Sequence, residues 1–404
     1  MTEPVTSLIH HSYVPPAGFE APQIGVFKAS TVFFPSVAAM RNHEWKDKSA
    51  YTYGLHGTPT TYTLEERLCA IEGGLQCVLV PSGLAALALV AMAVLKTGDE
   101  VLLPDNAYSP NKALAEGELK AWGISHRYYD PMDAQDLAAK LSPQTRLVWI
   151  EAAGSVTLEF PDVPHLVRLC QKHGALTALD NTWGAGIAFN PFDLEPGSPA
   201  PLGVDMSAQA LTKYPSGGGD VLMGSVITRD AALHMRIKLC HMRLGLSVGA
   251  NDAELVLRSL PTMALRYRAH DETTRALAAW CLTQAEFVQV LHPALEASPG
   301  HAHWKNLCKP AGQNGSAACL FSVVLDPAFS QAQVDGFCDA LQWFRLGYSW
   351  AGPVSLVVPY ELGAMRSVWP AHIAKGTLVR FAVGLEALAD LQADIAQALQ
   401  VLQK

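Results

Sequence analysis

Between residues 64 and 228 short apolar runs alternate with amphipathic ones, and this alternation restricts the fold more than any other feature of the chain. Thr63–Glu72 has a helical period and stops at Gly73-Gly74, where a glycine suits a left-handed C-cap. Cys77–Val80 is short, apolar and bounded by turn residues, which predicts a buried strand. The same reading predicts helices over Leu84–Leu95, Asn111–Trp122, Asp133–Leu141 and Val163–Lys172. Strands are expected over Glu100–Leu103, Ser125–Tyr129, Arg146–Glu151, Ala175–Leu179, Val204–Gln209 and Val221–Thr228. Parallel neighbours need a crossover, so strand–helix–strand repetition implies a largely parallel sheet with helices on both faces. The expected class is α/β.

Beyond about residue 250 the pattern changes. A helical stretch runs from Asn251 to Leu282 without a glycine, interrupted or kinked at Pro261. Strands are expected at Cys319–Leu325, Val354–Val358 and Leu378–Val383, with helices at Ala332–Ala340 and Ala389–Leu402. A chain of 404 residues exceeds what one core usually serves. It divides into an arm (1–57), a large α/β domain (58–250) and an α+β C-terminal domain (251–404). Apart from a short helix near Val37–Trp45, the arm has no regular period, and it carries Phe33, Phe34 and Tyr53 without a core to bury them. Packing on another subunit is favoured over folding back on its own chain.

Half the residues are hydrophobic and 16% are charged, a globular composition. A net charge of −8 with no basic block argues against a nucleic-acid partner. The longest apolar run, Leu84–Leu95, falls short of the roughly 20 residues that span a bilayer. Met1–Val5 lacks the start of a signal peptide, so a cytoplasmic protein is expected and no membrane partner. The eight cysteines contain no C-x-x-C pair and read as reduced, mostly buried thiols. His10-His11 and the His301/His303 pair lack metal-site spacing and a convergent carboxylate, so no metal is expected.

The stretch richest in chemistry is Ala208–Asp220, in which Lys213 follows Thr212 and precedes Gly217-Gly218-Gly219. A lysine leaving a strand for a glycine-rich turn suits an imine with a cofactor aldehyde. The carboxylate of Asp180, at the end of an apolar strand, suits a protonated pyridine nitrogen. Pyridoxal 5'-phosphate (PLP) needs both partners. Singly each is ordinary, since a loop lysine is usually a solvated charge and a strand-end aspartate usually a turn former. Ser82-Gly83-Leu84 joins a strand to a helix, where free N–H groups bind an anion or Ser82 simply caps the helix. Tyr108 follows a strand and can stack on a planar cofactor or join in proton transfer, though a loop tyrosine is more often structural. All of these would lie at the carboxyl ends of strands, where open α/β sheets bind ligands.

Taken together and in order, Tyr53-Gly54, Gly57-Thr58-Pro59-Thr60, Glu72-Gly73-Gly74, Pro81-Ser82-Gly83, Ala107-Tyr108, Asp180-Asn181-Thr182-Trp183 and Thr212-Lys213-Tyr214 resemble the Cys/Met-metabolism PLP family, the trans-sulfuration enzymes. The resemblance extends from about residue 24 to the C-terminus. It implies an aminotransferase-like fold (fold type I): a large parallel-sheet domain, a smaller α+β C-terminal domain, and an N-terminal arm reaching a neighbouring subunit. A homotetramer built from catalytic dimers is also implied. Within the family, Ala153-Gly154-Ser155-Val156-Thr157, Tyr348-Ser349-Trp350-Ala351-Gly352 and Gly376–Arg380 resemble the bacterial cystathionine β-lyase branch. That branch cleaves L-cystathionine, a small sulfur amino acid, to homocysteine, pyruvate and ammonia in methionine biosynthesis.

By this resemblance Lys213 carries PLP and moves protons, with Tyr108 as stacking phenol and second catalytic group. Asp180 pairs with the ring nitrogen. Ser82, Gly83, Leu84 and Thr212 hold the phosphate, and Tyr53 of the adjacent subunit reaches cofactor and substrate. Arg380 grips the substrate carboxylate beside Ser349 and Trp350. Three alternatives stay open: a broader cystine or cysteine-S-conjugate lyase, a γ-lyase or γ-synthase, and a PLP-fold protein kept for binding without catalysis. Leu55 stands where relatives carry a phosphate-binding arginine, and Ala210 where γ-acting members carry a serine. Gly217-Gly218-Gly219 replaces Gly-His-Ser, and a weaker hold on the cofactor is expected.

Overall fold

A computed structural model describes residues 18, 21–42, 46, 48–309 and 313–402. Much of the expected arm, with His10-His11 and the end of the helix expected near Val37–Trp45, lies outside the described residues. Within the arm, Val37–Arg41 forms a short helix whose Ser36 Oγ accepts from the Ala39 N–H.

Seven strands make the larger sheet: β1 (Gln76–Val80), β2 (Glu100–Pro104), β3 (Ser125–Tyr129), β4 (Thr145–Glu151), β5 (Leu176–Asp180), β6 (Met206–Ala210) and β7 (Gly224–Thr228). Their order is β1-β7-β6-β5-β4-β2-β3. β3, β2, β4, β5 and β6 run parallel, while β7 lies antiparallel between β6 and β1. The alternation of periods does not reveal this reversal. The chain between β6 and β7 holds no helix, so it returns beside β6 without a crossover and must run the other way.

The helix Pro59–Glu72 shows why these boundaries fall where they do. Thr58 and Thr61 exchange side-chain and backbone bonds in a capping box, and Pro59 occupies the first turn. Gly73 ends the helix at φ 77°, a left-handed turn that a side chain would strain. The apolar helix Gly83–Val94 packs on the opposite face, where Leu87, Leu89 and Val90 meet Val78, Trp149 and Val226. The helix Ala231–Leu244 has no clear sequence period because it buries His234, Lys238 and His241 along with Leu233 and Ile237.

The smaller sheet contains β8 (Phe287–Leu291), β9 (Leu320–Leu325), β10 (Arg345–Leu346), β11 (Leu356–Tyr360) and β12 (Leu378–Ala382), ordered β10-β11-β12-β9-β8. Phe321 stacks on Phe381 with centroids 5.0 Å apart, and Phe344 meets the same ring edge-on, so aromatics centre this core. The long helical stretch does break at Pro261, into Ala250–Ser259, a 3₁₀ turn and Met263–Cys281. No helix among the described residues is long and apolar enough to cross a membrane.

Candidate active site

The carboxyl ends of the parallel strands bring the chemistry-bearing residues to one edge of the large sheet. Glu151 and Asp180 are register partners at the ends of β4 and β5, and Asp180 pairs in turn with Ala208 on β6. Lys213 lies just past β6. Its Nζ donates to Ser349 Oγ at 2.8 Å and stands 5.4 Å from the centre of the Trp350 ring. Burial and the nearby Arg380 charge lower the Lys213 amine to about 8. Tyr214, the next residue, is fully buried and its phenol accepts from the Cys319 N–H at 2.8 Å. That anchor fixes the lysine turn against β9.

Asp180 accepts from the Thr182 N–H at 3.0 Å. Burial raises its carboxyl above the ordinary value, while the Thr182 bonds and the Lys213 charge pull the other way. Behind it, Asn181 donates to Glu72 at 3.2 Å, and Ser207 and Gln209 donate to the same carboxyl. Burial still pushes Glu72 up to about 7 against those three donors.

Ser82 caps the helix Gly83–Val94 by accepting from the Ala85 N–H at 3.0 Å, which leaves the Gly83 and Leu84 N–H groups at the helix start without intrahelical partners. A Cβ on Gly83 would lie 2.5 Å from the Ala210 Cβ, so the helix end and β6 approach closely only with glycine there. The Thr212 hydroxyl engages the backbone of Met223, at 3.5 Å to its carbonyl and 3.4 Å from its N–H. Gly217 and Gly219 both have positive φ, 75° and 72°, and Ser216 closes the turn by donating to Thr212 at 2.7 Å.

Arg380, on β12, is buried. One of its Nη atoms reaches the carbonyls of Tyr348 and Ser349 at 3.4 Å each, and its guanidinium lies 5.5 Å from the Tyr360 ring centre. Its Nε is buried without a partner. Such a donor calls for an acceptor brought by a ligand. Tyr108 is half exposed beside this group, and burial, with the charges of Asp180 and Glu151, raises its phenol. Tyr53 stands apart: it lines a cleft of about 640 Å³ with Lys28, Leu55, Thr58 and Asn251, a cleft that holds neither Lys213 nor Asp180. One chain therefore gathers Lys213, Asp180, Tyr108, Ser349, Trp350 and Arg380, and leaves Tyr53 outside. His301 and His303 sit elsewhere, facing the Pro293 carbonyl and Asp162.

These residues fit PLP. A lysine amine of lowered basicity, a carboxylate without an ion pair among the described residues, a helix start held open by glycine and an unpartnered buried guanidinium match its aldehyde, ring nitrogen, phosphate and bound amino acid. Residues 5–400 match the family described as Cys/Met metabolism PLP-dependent enzyme. The chain belongs to that family.

Cystathionine beta-lyase of Bordetella avium is 36% identical, over 98% of this chain and 97% of that protein. Cystathionine beta-lyase MetC of Escherichia coli is 33% identical, over 91% of each. Cystathionine gamma synthase of Xanthomonas oryzae pv. oryzae, solved in complex with aminoacrylate and cysteine, superposes with a TM-score of 0.83 at 29% identity, covering 96% of this chain and 95% of that one. The fold is accordingly that of PLP-dependent trans-sulfuration enzymes, fold type I.

Three residues beside this cluster receive no role from the sequence: Glu151, Tyr360 and Glu72, the last named only within Glu72-Gly73-Gly74. The available signal was a carboxylate at the end of an otherwise buried run, as in Trp149-Ile150-Glu151, which mirrors Leu179-Asp180.

Proposed function

We propose that this protein is a cystathionine β-lyase, releasing homocysteine, pyruvate and ammonia from L-cystathionine. At the coarser level it is a PLP-dependent carbon–sulfur lyase. The observation that carries the reading is the free buried Nε of Arg380 near the loosened amine of Lys213. A carboxylate donor beside a base is what an α-amino acid needs when its α-proton is to be removed. The β-lyase names of the relatives at 36% and 33% identity favour β-elimination. The γ-synthase likeness at 29% keeps γ-chemistry as the second reading.

PLP, when bound, supplies an electron sink for the substrate's α-carbon. The protein's own groups do the rest. Arg380 orients the substrate through its α-carboxylate, a task for a planar fork. Lys213, as a neutral amine, removes the α-proton and returns a proton to the departing sulfur. Asp180 would keep the ring nitrogen protonated, Tyr108 would stack on the ring, and the N–H groups of Gly83 and Leu84 with Thr212 would hold the phosphate. Ser349 orients the lysine, and Trp350 walls the substrate side. The arm (1–57) packs on a neighbouring subunit and delivers Tyr53 there, beside the large (58–250) and C-terminal (251–404) domains, within a homotetramer of catalytic dimers. Eight free thiols suit a reducing cytoplasm.

Product identity tests the reaction: purified protein with L-cystathionine should yield pyruvate, and 2-oxobutanoate as the sole keto acid would assign a γ-lyase instead. Cystine and S-alkyl cysteines in the same assay measure breadth.

A second expectation comes from the Lys213 amine. With its proton loosened to about 8, the neutral fraction rises about tenfold per pH unit below that value and levels off above it. The rate at which apoprotein takes up PLP should follow that curve, read by the growth of the cofactor's visible absorbance. A rate that does not change with pH over this range would remove the amine from the rate-limiting step.

A further inference from the structure

Glu151 ends β4 directly beside Asp180 on β5, so two carboxyls share one sheet edge. The Tyr108 N–H donates to Glu151 Oε2 at 2.7 Å, tying the loop after β2 to the end of β4. No cation pairs with Glu151 among the described residues. The guanidinium whose charge reaches Glu151, that of Arg366, is spent on Glu159 and Thr157. The groups facing Glu151 are Asp180 from β5, the Tyr108 loop, Tyr129 from β3, the Ser155 N–H and the more distant Arg366 charge. Only Arg366 is positive, and it is already neutralised.

Two like charges on neighbouring strand ends cannot both persist at low cost when the nearby amine of Lys213 bears on Asp180 and not on Glu151. The acid that meets a protonated ring nitrogen must be the charged one. We propose that Glu151 is a positioning residue: it stays a neutral acid, clamps the Tyr108 loop through its carbonyl oxygen, and leaves Asp180 the only charged carboxyl facing the cofactor. Burial, opposed by too few donors, keeps the Glu151 carboxyl well above its ordinary range. The inference rests on PLP lying between Lys213 and Asp180 with Tyr108 over it.

Glu151→Gln keeps both the neutrality and an acceptor for the Tyr108 N–H, whereas Glu151→Ala removes the clamp. In the holoenzyme, the glutamine variant should keep PLP affinity and the pH midpoint of the cofactor's visible absorbance unchanged. The alanine variant should lose about tenfold or more in PLP affinity, with weaker visible circular dichroism, as when one geometry-setting hydrogen bond is lost. A midpoint moved by about a full pH unit in Glu151→Gln would show that a charge had been removed. Wild-type affinity and dichroism in Glu151→Ala would show that nothing was being positioned. Either result overturns the proposal. Infrared spectra of the apoproteins separate this failure from that of the cofactor reading. The wild type should show a protonated-carboxyl band at neutral pH that Glu151→Gln lacks, and its absence refutes the neutral acid whether or not PLP binds.

Discussion

Lys213→Ala should abolish turnover, by about a thousandfold or more, and remove the visible absorbance of covalently held cofactor. The size of the effect follows from two tasks falling on one atom. Among the described residues placed at the strand-end cluster, Nζ is the only amine, and it is both the group that would hold PLP and the base proposed for the substrate's α-proton. Its replacement also empties the bond to Ser349 Oγ and lifts a positive charge away from Asp180. Lys213→Arg separates the roles, because it preserves a cation but offers no nucleophilic amine at working pH. Both variants should fold, since Lys213 is half buried and the turn is anchored by Tyr214. Measurable pyruvate release from either variant at near wild-type rate would dismiss the assignment of Lys213. Arg380→Ala offers the contrast: loss of carboxylate binding should raise KM strongly while leaving the cofactor's absorbance intact.

Lys213 and Asp180 were readable because each sits where an apolar strand meets turn residues, a junction that period and punctuation mark clearly. The same logic found the break at Pro261 and all seven strands of the large sheet. It failed where polarity faces inwards. Ala231–Leu244 buries two histidines and a lysine, so its inner face looks polar. β8, with exposed Val288 among buried residues, and the helix His301–Cys308, with only Trp304 and Cys308 buried, are too short for a period to emerge. The bond between Lys213 and Ser349 joins residues 136 positions apart, and no spacing rule predicts such a contact. Family resemblance names Ser349 and Arg380 as substrate-binding residues, but not the bond to the lysine. The β7 reversal depends on a missing crossover helix, which a list of strands does not display. Glu151 was read as the last residue of a strand because a terminal carboxylate ordinarily faces water.

The largest loss of stability is expected at Glu159, which takes no part in the proposed proton transfers. Its carboxyl is buried and accepts from Arg366, His372, Thr157 and Asn106. Burial alone would raise it, but the His372 bond, the Arg366 charge and the two further donors outweigh that and hold it at about 2. Glu159→Ala leaves the Arg366 guanidinium buried and unpaired, which costs about 3–5 kcal/mol. The same pair ties residues 366–372 to the segment carrying Asn106, and Ser367 also donates to Asp105 at 2.9 Å from its N–H. Losing the pair should therefore loosen the Tyr108 loop as well as lower the unfolding midpoint. The sign with pH follows from a folded value below the unfolded one: the contribution is complete above the ordinary carboxylate range and fades as pH falls through about 4 towards about 2. Urea unfolding at neutral pH and again near pH 3 should show wild type and Glu159→Ala converging on acidification. The double variant Glu159→Ala/Arg366→Met should recover part of the loss, because the orphaned charge goes with its partner. A single variant within about 1 kcal/mol of wild type at neutral pH, or a double variant no better than the single, would show that this buried pair does not hold the two segments together.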